Sequence, residues 1–356
     1  MEQAVFAFRL SGEPVKCTPF GHGHINSTFK IETDQGNEYV LQRINTYVFK
    51  DPVGLMNNAG AITDYIRERV NDPRLALHFL TTRDGKFYHE DEKGEFWRMY
   101  DFVGGFCLDT PECEEDFYQS ALAFGRFQQM LSEFPAETLT ETIPEFHNTP
   151  DRFRKLKESI AADPMGRLAG VKAEVDFALA REEMGSRLQK QREVGILPLR
   201  VTHNDTKLNN VLLDKKTRKS LCVLDLDTVM PGLSAFDFGD SIRFGAATAA
   251  EDEKDLSKME MDLHLFEIYT RGFLEAATNL TEAEIQALPM GAYTMTLECG
   301  IRFLKDYLDG DAYFKVDYPE HNLVRARTQF KLVSDMEQKM PQMDAIVARV
   351  AAEIRK

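Results

Sequence analysis

The chain has 356 residues, and its 43 lysines and arginines stand against 58 aspartates and glutamates for a formal net charge of −15. Hydrophobic residues make up 43% and charged residues 28%, the mix of a globular protein long enough for two packed lobes. So acidic a balance argues against nucleic acid and anionic membranes as partners, because both need a basic footprint, but leaves small anionic ligands open.

Cys17, Cys107, Cys113, Cys222 and Cys299 are odd in number, widely spaced and without a C-x-x-C pair. They read as reduced thiols of a cytoplasmic protein, not as a disulfide framework or a zinc knuckle. No run approaches the ~18 to 20 apolar residues of a spanning helix. The first nine residues lack the regions of a signal peptide, so a cytoplasmic location is expected.

In chain order, strands over Phe29–Glu32 and Glu38–Ile44 flank Asp34-Gln35-Gly36-Asn37 and predict a hairpin. Asp51-Pro52 reads as an N-cap with proline in the first turn, opening a helix to about Arg69. A meander follows, turning at Asp84-Gly85 and Lys93-Gly94 and ending in a strand over Glu95–Val103. Beyond Gly104-Gly105 the texture is helical. Phe117, Leu122 or Ala121, Phe124, Phe127 and Leu131 fall at helical spacing within 114–134. Further helices are expected over 150–163, 173–192, 257–278, 281–308, 319–338 and 342–355. Three short apolar strands interrupt them, at Leu199–Thr202, Val211–Leu213 and Leu221–Leu224. The expected architecture is α+β and two-lobed: a small β-rich lobe over 1–100, a connector at 101–105, and a larger, mainly helical lobe over 106–356.

The stretch Thr202-His203-Asn204-Asp205-Thr206-Lys207-Leu208-Asn209-Asn210 is a polar loop between two of those strands. Asp205 and Asn210 offer what phosphoryl transfer wants: a carboxylate beside the attacking hydroxyl, and a neutral oxygen ligand for Mg²⁺ on the same loop. A hairpin loop rich in turn-formers accounts equally well for H-x-D alone. It does not account for Asp225, which ends the next apolar strand, where a carboxylate is costly unless paired or metal-bound. Strand alternation puts Asp227 on the same face as Asp225. Asp227 reads either as a second ion ligand or as the partner of a cation such as Arg243.

His203-x-Asp205-x-x-x-x-Asn210 followed by Asp225 resembles the motif of the aminoglycoside phosphotransferase and choline kinase-like family, which shares the protein-kinase architecture. Longer strings resemble its N-acetylhexosamine 1-kinase branch, from about residue 15 to the C-terminus. They are Gly21–Thr28, Thr202–Asn210, Phe236–Gly245, which includes Asp237, Asp240 and Arg243, Glu298–Leu308, which includes Arg302, and Tyr318–Arg325. The resemblance implies an ATP-dependent kinase that phosphorylates the anomeric hydroxyl of N-acetylglucosamine or N-acetylgalactosamine. Asp205 would be the base, Asn210 and Asp225 would hold Mg²⁺, and His203 would brace the loop. Gly21, Gly23, Ser27 and Thr28 would approach the ATP phosphates, and His24, Asp205, Arg302 and Tyr313 the sugar. His22-Gly23-His24 also reads as half a zinc site, for which no third ligand has sensible spacing, or as a turn with solvated histidines. For Arg302 a structural salt bridge is the alternative.

The sequence departs from the resemblance at one place. A kinase-like fold expects a lysine on the strand 38–44 reaching the phosphates, and this chain has Gln42 and Arg43 there. Arg43 or backbone amides would substitute. Trp97–Gly104 reads as the connector, with the backbone around Tyr100 and Phe102 facing adenine, or as an ordinary strand. The expected partners are ATP and a small sugar, with a monomer favoured. The rival readings are a kinase of an amino alcohol, an aminoglycoside or another sugar, a weakly catalytic nucleotide-binding scaffold, and a metal-dependent phosphohydrolase.

Overall fold

A computed structural model of the chain describes residues 2–21 and 26–356. The chain divides into two compact units. The first comprises residues 1–107, 130–144 and 210–231, and the second comprises 108–129, 145–209 and 232–356.

The first unit is built on an antiparallel five-stranded sheet of β1 (Pro14–Pro19), β2 (Ser27–Thr33), β3 (Glu38–Ile44), β4 (His89–Glu90) and β5 (Phe96–Asp101), in the order β1-β2-β3-β5-β4. The expected hairpin is β2–β3, and its turn places Gly36 at φ +79, a conformation glycine adopts without steric cost. Ile31, Leu41, Trp97 and Met99 bury one sheet face against Ala4, Val5 and Phe8 at the chain start. Sequence periodicity did not mark β1, because this edge strand is largely exposed and carries no apolar alternation. The helix Pro52–Arg67 starts where expected, with the Asp51 carboxylate accepting from Gly54 N at 2.8 Å.

Two later segments join this unit through main-chain contacts. Asn58 of the 52–67 helix donates to the carbonyls of Thr140 (2.7 Å) and Val229 (3.1 Å) and accepts from Thr140 N at 2.9 Å. The hairpin of Val211–Leu213 and Ser220–Val223, expected within the C-terminal lobe, clusters here instead. Phe106 and Leu213 exchange both backbone hydrogen bonds, at 3.0 and 2.8 Å, and Arg74 pairs with Asp214 at 3.2 Å.

The second unit is helical, with principal helices Glu114–Met130, Thr149–Ala162, Ser234–Gly245, Leu263–Ala276, Glu282–Asp309 and His321–Ile354. The helix expected over 173–192 is three short pieces, Lys172–Leu179, Glu182–Gly185 and Arg187–Glu193. Near the second break, a Cβ at Gly185 would lie 2.8 Å from Leu297 and 3.2 Å from Phe153, so the chain turns there against a tight wall. The two helices expected over 319–338 and 342–355 are one. Pro341 lies inside it, exposed, while Leu332, Val333, Met336, Met343, Val347 and Val350 are buried along both halves. Packing of that stripe outweighs the single hydrogen bond a proline forfeits.

The 282–309 helix opens with a capping box between Thr281 and Glu284 and stops at Gly310, φ +99. It crosses the 234–245 helix backbone to backbone. A Cβ on Gly239 would lie 2.3 Å from Gly291 O, and one on Gly291 would lie 2.1 Å from Ala235 O. Among the described residues no helix is long and apolar enough to cross a membrane. Gly291→Ala should destabilise the protein by about 2 kcal/mol in urea unfolding, because the intruding methyl meets backbone that cannot rotate away. An unchanged unfolding midpoint would show that the two helices can part.

Candidate active site

The loop after the strand Arg200–Thr202 is fixed from beneath by one helix N-terminus. Asp237, in the first turn of the 234–245 helix and fully buried, accepts from Asn204 N (2.8 Å) through Oδ1. Through Oδ2 it accepts from His203 N (2.9 Å) and Gln128 Nε2 (2.7 Å). Its own carbonyl accepts from Thr206 Oγ1 at 2.6 Å, and one turn later Asp240 accepts from Thr206 N at 3.0 Å. Ser241 Oγ donates to Thr206 O at 2.7 Å and receives Tyr269 OH at 2.6 Å. These bonds hold Asn204 at φ +64, a left-handed conformation that asparagine tolerates better than most residues. Burial pushes the Asp237 carboxyl above its usual range, against the pull of the two loop N–H groups. His203 is wholly buried, edge-on to Phe124 and Phe127, and its Nδ1 accepts from Asp205 N at 3.4 Å.

Asp205 itself stays reachable, with 28% of its side chain exposed and Oδ1 at 3.0 Å from Lys207 Nζ. Burial would lower the Lys207 ammonium, but Asp205 and Asp240 outweigh it and hold it above the ordinary lysine value. Thr206 and Lys207 line a cavity of about 690 Å³ whose wall also carries Ser241, Arg243, Glu251 and Gln329. Arg243 is committed to Asp240 (3.1 Å) and Glu251 (2.7 Å). Gln329 is 2% exposed, and its Oε1 finds no hydrogen-bond donor among the described residues.

A second cluster touches the same loop. His147 Nε2 lies 3.3 Å from Asn204 O and Nδ1 lies 2.9 Å from Glu298, which also accepts from Thr149 Oγ1 at 2.9 Å. Arg302 stands nearby with its guanidinium 5.9 Å from the Phe146 and Tyr313 rings and 5.3 Å from Phe314. The structure therefore brings Arg302 and Tyr313 together, Tyr313 being 71% exposed. Burial would raise the Glu298 carboxyl, but His147, Arg152 and Arg302 together hold it below its usual value. Sequence reading passed over His147, which sits in no motif. Glu298 was visible only as the first residue of a longer string.

In the first unit, the 211–223 hairpin delivers two oxygen-bearing side chains to one end. Val211 pairs with Val223 and Leu224 N donates to Asn210 O at 2.8 Å, so Asn210 and Asp225 leave neighbouring strands side by side. Asp225 has φ +55 and heads the 3-10 turn Leu226–Thr228. An amide oxygen and a carboxylate suit a hard cation such as Mg²⁺, which keeps its other positions for water and phosphate oxygens. No group of three or more His, Cys, Asp or Glu residues able to hold an ion occurs among the described residues.

The turn overturns the expectation that strand alternation puts Asp227 on the face of Asp225, since 226–228 is not a strand. Nor is Arg243 the cation beside Asp227. Asp227, 2% exposed, pairs through Oδ1 with Arg98 of β5 and accepts from Asn26 Nδ2 at 2.7 Å through Oδ2. Arg98 Nε donates to Gln42 Oε1 at 2.8 Å, and Gln42 Nε2 to Thr28 Oγ1 at 3.0 Å. Arg43 is exposed, 3.5 Å from Glu95, and donates to Ser27 Oγ at 3.3 Å. Tyr100 pairs with Val40 in the sheet and Phe102 N donates to Glu38 O at 3.0 Å. Gly21 has φ +77, while Gly23 and His24, like His22, lie outside the described residues.

A β-sheet lobe followed by a mainly helical one, with the loop carrying Asp205 between strands, is the kinase-like fold. Residues 16–260 match the phosphotransferase enzyme family (APH), and the chain belongs to it. Three solved structures show how far the likeness of fold extends. An aminoglycoside phosphotransferase from Alicyclobacillus acidocaldarius is 13% identical with a TM-score of 0.62, covering 100% of this chain and 96% of that one. The amicoumacin kinase hAmiN, in complex with AMP-PNP, Ca²⁺ and Ami, is 12% identical at TM-score 0.63, covering 95% and 92%. A microcompartment-associated aminopropanol kinase is 16% identical at TM-score 0.61, covering 96% and 97%.

The buried Glu298 carboxylate makes acid stability a readout of the second cluster. An unfolded glutamate titrates near its ordinary value of 4.5 and the folded one below it. Its contribution is therefore complete above pH 4.5 and is lost as pH falls through the folded value. Glu298→Gln should cost about 3 kcal/mol at pH 7 and flatten the stability change between pH 6 and pH 3. Urea unfolding across that range would show it, and an unaltered acid slope would place the pH dependence elsewhere.

Proposed function

We propose that the chain is an ATP- and Mg²⁺-dependent kinase that transfers the γ-phosphoryl group to the anomeric hydroxyl of a free N-acetylhexosamine. The observation that carries the reading is a partly exposed carboxylate, Asp205, on a loop locked by Asp237, with the next two residues, Thr206 and Lys207, lining a cavity of about 690 Å³. In this reading the acceptor hydroxyl donates its proton to Asp205 as its oxygen attacks the γ-phosphorus, and ADP leaves. Lys207 holds the carboxylate oriented between turnovers. Asn210 and Asp225 would hold Mg²⁺, which supplies neutralisation of charge on the transferring group. Support for a nucleotide and a divalent cation comes from the similarly folded amicoumacin kinase, whose structure contains AMP-PNP and Ca²⁺.

The wall of the cavity is largely apolar with polar groups set into it, a lining that suits the ring face and hydroxyls of a sugar. Its cations are spoken for, Lys207 by Asp205 and Arg243 by Asp240 and Glu251. Among its other polar groups is the buried Gln329 amide, whose Oε1 has no donor among the described residues and is able to accept from a sugar hydroxyl or an acetamido N–H. Arg302 and Tyr313 would add a cationic and an aromatic surface to the sugar, and Gly21, Gly23, Ser27, Thr28 and Arg43 would lie toward the nucleotide.

A panel of acceptors with ATP consumption measured, and the new phosphate located by phosphorus NMR, tests the assignment. N-acetylglucosamine or N-acetylgalactosamine should give the 1-phosphate. Turnover confined to amino alcohols or aminoglycosides would replace the acceptor, and phosphate release without any acceptor would replace the reaction. Asp205→Asn should lower kcat about a thousandfold while leaving the ATP dissociation constant within about twofold. Turnover near wild type in that variant would remove Asp205 from the role of base.

A further inference from the structure

The ion pair between Arg98 and Asp227 has no task in the reaction described above, yet it is among the most deeply buried charges in the first unit, at 3% and 2% exposure. Burying two charges costs more than an exposed pair returns, so such a pair adds little to stability compared with apolar residues of the same size. What it does well is fix positions, because neither partner can move without leaving a bare charge. Three strands of the chain meet at it. Arg98 reaches from β5 to Gln42 on β3 at 2.8 Å, and Gln42 in turn to Thr28 on β2 at 3.0 Å. Asn26 ties the Asp227 carboxylate to Asn45 N, at 2.7 and 2.9 Å, so the residue preceding β2 is held at the same point.

Asp227 lies two residues beyond Asp225, in the 3-10 turn that Asp225 heads. Both of its carboxylate oxygens already receive N–H donors, one from Arg98 and one from Asn26. Resting on the kinase reading, we propose that Asp227 is not an ion ligand but a joint: with Arg98 it is a positioning residue that sets the 225–228 turn, and so the Asp225 carboxylate, relative to β2 and the residues before it. The two alternatives predict opposite signs. If Asp227 were a ligand masked by Arg98, removing the guanidinium would expose it and tighten ion binding. If it is a joint, removing the guanidinium loosens the turn and weakens ion binding.

Titration calorimetry of Mn²⁺ with AMP-PNP on the full chain, with thermal unfolding as a check of the fold, separates them. Arg98→Met should weaken Mn²⁺ binding in the presence of AMP-PNP about tenfold. The double variant Arg98→Met with Asp227→Leu should lose no more than the single one, since the two groups act as a unit. Arg98→Lys, which keeps the charge and folds more safely, should recover part of the affinity but not the bond to Gln42. Tighter binding in Arg98→Met, or losses that add in the double variant, would overturn the proposal. If Arg98→Met fails to fold, Arg98→Lys binding the ion more tightly than wild type would do the same. A wild-type chain that binds no Mn²⁺ with AMP-PNP would instead overturn the kinase reading on which the proposal rests.

Discussion

The carboxylate of Asp237 is the point on which the loop carrying Asp205 depends. It is fully buried, and three N–H donors, two from the loop backbone and one from Gln128, are what make that tolerable. A group in that position cannot shift without stranding a charge, so the loop cannot shift either. The position of Asp205 therefore follows from a residue more than thirty places later in the chain, and only then from its own neighbours. The glycine crossing between the 234–245 and 282–309 helices holds that anchor at the bottom of the core.

The first unit solves a similar problem with different chemistry. There the buried carboxylate is Asp227, its main partner is a full positive charge, and the pair links strands rather than a loop and a helix. Burial holds Asp237 above the normal carboxyl range, and its neutral N–H donors offset only part of that. For Arg98, burial works against its charge, and Asp227, with lesser help from Tyr100 and Asp225, more than restores it. One arrangement stiffens a backbone, and the other stiffens the relation between side chains.

Much of this was legible in the sequence, and the exceptions have physical causes. The β2–β3 hairpin announced itself by the polar turn between its strands, the 52–67 helix by its Asp51-Pro52 start, and the three short strands around Asp205 by their apolar runs. The edge strand β1 did not, since nothing in it needs to be buried. Pro341 suggested a break that a continuous buried stripe overrides. Asp205, Asn210 and Asp225 stand out in the sequence by type and spacing as candidates. The partners that hold the loop do not, because His147 lies 57 residues before the Asn204 carbonyl it approaches and belongs to no pattern. The same distance in sequence hid Arg98. A missing lysine on β3 was visible, but the arginine beside that position comes from a strand more than fifty residues on.

The discontinuity of the first unit bears on how the chain is made. Its sheet is complete by residue 101, but the carboxylate that neutralises Arg98 is encoded about 130 residues later. During synthesis at ~5 to 20 residues per second, the arginine must wait on the order of ten seconds for its counter-ion. Over that interval the sheet has either to leave Arg98 in water or to remain loosely packed around it. The segment that brings Asp227 also brings Asn210 and Asp225, so the counter-ion of Arg98 and the two candidate ion ligands reach the first unit together.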